Sequence, residues 1–252
     1  MNEMTETYEE LKERYENLIL QRDRIEKDAG LYQMEYLKEF GDEITAAFQL
    51  RIDCIALKKS ISFCQMKINA GEEIDPISMQ EYIDANMIAY KDQLQDLLAQ
   101  VKAGKTMEPI SRLDVEEIKK IYRRVAKRLH PDICPLTAED PELMELFQRV
   151  LIAYRTNDLK AIREAETLIN RYLKELGEEP LPMEIYDLPE KISDLETEIA
   201  NLVNTEPYAY RALLEDDDAV EKSHQELADE IEYYQNYKQE LQTHLESLLT
   251  RE

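Results

Sequence analysis

The residues of this chain best suited to chemistry are three in a row, His130-Pro131-Asp132. The imidazole can donate or accept a hydrogen bond, the carboxylate accepts, and the proline ring restricts the turn between them. Just before them run six cations with no acid among them: Lys119, Lys120, Arg123, Arg124, Lys127 and Arg128. The chain holds 55 Asp and Glu against 31 Lys and Arg, a net charge of -24, so a basic run needs a local reason. Like charges four apart on a helix repel by about a few tenths of a kcal/mol, and a purely structural helix would more easily mix the signs. Cations that steer an acidic partner, followed by a loop with directed hydrogen-bonding groups, make a docking surface. Two blander readings stand beside it. His130 can be a helix C-terminal cap, and a basic helix can bind nucleic acid. The acidic flanks and the lack of interleaved aromatics argue against nucleic acid.

Helical elements must hold these residues. Asp114 with Glu117 predicts an N-cap and its capping-box partner. Pro131 cannot continue a helix and biases His130 away from helical dihedrals. The helix is therefore expected over about 115–129, with Val115, Ile118, Tyr122, Val125, Ala126 and Leu129 as its apolar face. A second helix is expected from about Pro141, with Leu143, Leu146, Phe147, Val150 and Tyr154 as its stripe. Packed antiparallel, the two would present His130-Pro131-Asp132 at the tip of a hairpin. Past the last turn, His130→Gln is expected to leave the helices intact.

With both helices in view, the stretch resembles a J-domain, the signature of DnaJ-type co-chaperones. The resemblance rests on Ile118-Lys119-Lys120, Tyr122-Arg123, Ala126 and His130-Pro131-Asp132, continues to Pro135, and resumes at Phe147, Val150, Ala153 and Tyr154. It covers about residues 113–156. It implies that the six cations dock on an acidic surface of a DnaK-type chaperone ATPase. His130, Pro131 and Asp132 would reach that ATPase and stimulate it. The family's usual first helix is not evident. Tyr90 and Leu94, in a helix over 77–103, are the candidates to stand in for it. No Gly/Phe-rich linker or zinc-binding cysteine repeat follows.

Elsewhere the periodicity predicts helices over 4–28, ended by Gly30, and 31–68, bent at Gly41. Ala103-Gly104-Lys105 closes the 77–103 helix, another is expected over about 158–175, and two more over 188–203 and 217–250. Gly177, Pro180, Pro182 and Pro189 mark a linker. The expected architecture is all-α: a helical hairpin or bundle over 1–104, the J-domain-like module over 105–176, and an acidic, coiled-coil-like hairpin over 177–252. The arms would recruit a client, locate the protein or form a homo-oligomer; the alternative is a scaffold whose module is inactive.

No G-x-x-x-x-G-K-[ST] loop occurs, so the chain is not expected to hydrolyse ATP or to be an enzyme. The cysteines, 54, 64 and 134, are not at metal-ligand spacings, and no metal or other cofactor is expected. Cys134 reads as a loop thiol, and His224 and His244 as surface residues. An odd cysteine count behind a polar N-terminus predicts reduced thiols in the cytoplasm. No apolar run approaches the ~18 residues of a membrane span, and the acidity argues against nucleic-acid or membrane partners.

Overall fold

The computed structural model describes residues 7–106, 110–177 and 185–250. Every regular element among them is a helix: α1 (Tyr8–Ala70), α2 (Pro76–Thr106), α3 (Arg112–Leu129), α4 (Pro135–Glu139), α5 (Pro141–Arg155), α6 (Leu159–Leu176), α7 (Leu188–Asn204), α8 (Tyr210–Leu214) and α9 (Asp217–Leu249). No helix among the described residues is long and apolar enough to cross a membrane. Residues 4–6 and the linker prolines 180 and 182 lie outside the described residues. Pro189 falls in the first turn of α7, where a missing N–H costs nothing.

The chain forms two compact units that do not follow chain order. One takes residues 1–32 and 108–209, the other 33–107 and 210–252. Segment 1–104 is thus divided between them, and so is 177–252. Helices α7 and α9, expected as a hairpin, belong to different units. Ile192 and Leu195 of α7 pack with Tyr15 and Ile19 of α1. Leu241 and Leu248 of α9 pack with Cys54, Ile61 and Cys64 of the same helix, in the other unit. Along α9, His244 is exposed and the half-buried Leu245 joins this core.

Helix α1 runs unbroken through Gly30, the expected stop, and continues through Gly41, where a bend was expected. A helical glycine costs up to about 1 kcal/mol relative to alanine. Burial of Ile25, Ala29, Leu37 and Phe40 around the two positions outweighs that. Gly41 instead makes room for α2: a Cβ there would lie 2.8 Å from both γ-carbons of Val101. Gly104 does the same from the other side, where a Cβ would lie 2.9 Å from the Met34 carbonyl oxygen. Gly104 does not close α2, which continues to Thr106.

His224 is not a plain surface residue. Its Nδ1 lies 2.7 Å from Glu43 and its Nε2 3.2 Å from Glu39, and its ring packs on Phe40. The hydrogen bond with Glu43, and then that with Glu39, outweigh partial burial and raise its pKa. The folded state therefore holds this proton more tightly. The stabilisation is complete below the ordinary value of about 6.5 and is lost as pH rises through the raised value.

Gly104→Ala is expected to lower the midpoint of urea unfolding, because about 1–3 kcal/mol of overpacking exceeds the gain in helix propensity of up to about 1 kcal/mol. Gly30→Ala should raise it, since a Cβ there meets nothing within 4 Å. His224→Gln should remove a decline in stability above about pH 6.5; an unchanged pH profile would show that the clamp contributes nothing.

Candidate partner-docking site

Helix α3 begins three residues earlier than expected. Ser111 is its N-cap and accepts the Leu113 N–H at 3.2 Å. Asp114 falls in the first turn, favourable to the helix dipole, and Glu117 accepts from Arg163 of α6 at 2.6 Å. At the other end His130 is extended, φ -61° and ψ 130°, as its following proline requires. Its N–H donates to the Ala126 carbonyl at 2.9 Å, and its own carbonyl accepts from Ile133 and Cys134, each at 2.8 Å. The backbone of His130 is thus a helix cap. Helix α4 follows within the loop, and Asp140 caps α5 by accepting the N–H groups of Glu142 and Leu143.

The helix pair has the expected core. Tyr122, Val125, Leu129, Phe147, Val150 and Tyr154 lie in one cluster, with Ile162 and Ile169 of α6 completing it. The rings of Tyr122 and Tyr154 stack with centroids 3.9 Å apart. Phe147 is buried and meets the edge of the His130 ring at 5.2 Å. Ile121, outside the predicted apolar face, is also buried. Cys134, in the loop before α4, is a buried free thiol.

The His130-Pro131-Asp132 loop is not a free tip. His130 is only 5% exposed, Pro131 is half-buried, and Asp132 is exposed. The covering element is the first part of α1. Arg22 Nη1 donates to Asp132 Oδ2 at 3.2 Å and Arg22 Nη2 to Asp23 Oδ1 at 3.1 Å. Asp23 is 2% exposed, and its Oδ2 accepts a short hydrogen bond from the Tyr122 hydroxyl. The same oxygen lies 3.5 Å from His130 Nε2.

His130 Nδ1 accepts the Asp132 N–H at 3.1 Å, and its Nε2 lies between Arg22 Nη2 at 3.3 Å and Asp23 Oδ2 at 3.5 Å. Burial lowers the imidazole pKa despite the opposing pull of Asp23 and Asp132. Burial and Asp23 together push the Tyr122 hydroxyl up. Arg22 is raised: burial opposes its charge, but Asp23 and Asp132 outweigh it.

The first part of helix α1 packs on the pair. Leu20 joins the Tyr122–Tyr154 core and Lys27 lies over the Tyr154 ring, whereas α2 belongs to the other unit and spends Val101 and Gly104 on α1. Arg22 and Asp23 were not singled out from sequence, yet a signal was there. Tyr15, Ile19, Asp23 and Lys27 follow one another at four-residue steps, so an apolar row passes into two charged residues without leaving its face.

All six predicted cations are exposed on α3. Arg124 is held by Glu166 of α6 at 2.7 and 2.9 Å, and Lys119 pairs with Glu116 at 3.1 Å. Lys120, Arg123, Lys127 and Arg128 form no ion pair with another described residue. Lys120, Arg123 and Lys127 share one outward face at helical spacing. Among the described residues no group of three or more His, Cys, Asp and Glu could hold a metal ion.

No protein-family model, curated protein or solved structure matches this chain.

Asp23→Asn leaves Arg22 short of a charged partner and should cost about 2–4 kcal/mol, read by chemical denaturation. His130→Gln should cost about 1–3 kcal/mol rather than a cap alone, because it empties a buried, bonded position. The wild type should lose stability as pH falls below about 6.5, since unfolding lets His130 take up its proton more readily. Absence of that acid-side loss in His130→Gln alone would assign it to this ring.

Proposed function

We propose that residues 113–156 form a J-domain-like module that docks a DnaK-type chaperone and stimulates its ATPase. The observation that carries this reading is the conjunction of the Lys120, Arg123 and Lys127 face with the Asp132 carboxylate just beyond it. The face supplies a positive field for an acidic partner, acting mainly on the rate of encounter. The Asp132 carboxylate is the loop's outward hydrogen-bond acceptor, and Pro131 holds its direction. His130 acts from beneath: its Nδ1 fixes the Asp132 backbone, so the imidazole shapes the loop and need not touch the partner. Client recruitment or localisation falls to helices outside the module, such as α2 and α9.

A second reading has its own observation. Arg22 already occupies the Asp132 carboxylate and α1 covers His130. A module held this way suits a scaffold that has given up chaperone stimulation.

The two readings part in a single-turnover ATPase assay of a DnaK-type chaperone. Stimulation by the whole chain is expected, weakened severalfold by added salt and by Arg123→Glu with Lys127→Glu, and abolished by Asp132→Asn. If the wild-type chain stimulates no chaperone ATPase from its own cell, the scaffold reading stands and the co-chaperone reading falls.

A further inference from the structure

In the first unit a cleft of about 460 Å³ opens between α1, α3 and α5. Arg24 of α1 and Lys119 and Arg123 of α3 enter its walls, and no acidic residue lines it. The amides of Asn17 and Gln21 add neutral donors beside the stacked Tyr122 and Tyr154. Lys27, one turn past Arg24, is 4% exposed, and its Nζ sits 4.1 Å over the centroid of Tyr154, a wall of the cleft. That ammonium has no hydrogen-bond partner. Burial, and then Lys119, lower its pKa to about 8, with Asp28 opposing. Lys119 is paired outside the lining with Glu116 at 3.1 Å, while Arg24, Arg123 and Lys27 form no ion pair with another described residue, inside a chain whose net charge is -24.

We propose that this cleft binds the carboxylates of an extended acidic peptide, held by Arg24, Lys119 and Arg123. The spacing favours a row of carboxylates over a single anion. Lys119 and Arg123 stand one helical turn apart, about 5–6 Å, and Arg24 faces them across the cleft. Alternate side chains of an extended peptide repeat at about 7 Å. Arg24 lies outside the docking face of α3, whereas Arg123 belongs to both, and the proposal does not depend on a chaperone partner.

The test is anisotropy of a fluorescein-labelled hexaglutamate peptide titrated with the full chain at low and at physiological salt. Saturable binding is expected. Arg24→Glu should weaken it about tenfold, the scale of one charge-assisted contact. Lys27→Met, which deletes an ammonium buried behind the Tyr154 ring and outside the lining, should change it less than about twofold. Lys127→Glu, on the outer face of α3, should change it less than about twofold. Should Lys27→Met fail to fold, the exposed Arg24 carries the comparison alone. Absence of saturable binding overturns the proposal. So does an effect of Lys127→Glu equal to that of Arg24→Glu, which would mean a diffuse basic field. Saturable competition by inorganic phosphate, with no binding of the peptide itself, would mean a single-anion site and overturn it too.

Discussion

The first unit depends on one buried carboxylate. Asp23 enters an apolar interface that would exclude it unless its charge were compensated on every side. Compensation comes from three directions: the guanidinium of Arg22, the hydroxyl of Tyr122 and the Nε2 side of His130. Each of these then holds something else. Tyr122 stacks on Tyr154, His130 orders the Asp132 backbone, and Arg22 reaches the Asp132 carboxylate. Helix α1, the helix pair and the loop are therefore coupled through a single acidic group.

That coupling changes what the loop can offer. A free hairpin tip would leave the imidazole and the carboxylate both open to a partner. Here the imidazole is consumed internally, and the carboxylate is shared with Arg22 while still exposed. Specific recognition then rests on Asp132 and on the outward cations of α3, and any partner that engages Asp132 competes with a guanidinium already in place. The functional readings differ in how that competition ends, which is a matter of relative affinity and not of loop shape.

Charge is distributed with the same economy on the rest of the basic helix. Arg124, on the side toward α6, is taken up by Glu166, and Glu117 of α3 reciprocates with Arg163. These exposed pairs add little stability, but they orient α6 on α3 and leave the field to Lys120, Arg123 and Lys127. Across the other flank, Lys119 and Arg123 face Arg24 over the cleft. Their repulsion there is offset by no acid in the lining.

The amino-acid sequence by itself determined the helical class, the antiparallel pair of α3 and α5, and the residues of their shared core. Those properties follow from local periodicity, caps and proline, which act within a few residues. The same locality explains the error at Gly30: a glycine reads as a stop where only its propensity is seen. Gly41 is a site of close approach, which shows only once Val101 is known to lie against it. Only the tertiary structure decided that α7 and α9 each pack on a different part of α1, and that the first part of α1 packs on the pair of α3 and α5. It also decided that Arg22 and Asp23 close over a loop more than a hundred residues away in the chain. Apolar stripes state that a face will be buried without stating against what, because the hydrophobic effect is non-directional. The partner of a charged residue on such a stripe is fixed only when the fold brings a complementary group within hydrogen-bonding distance.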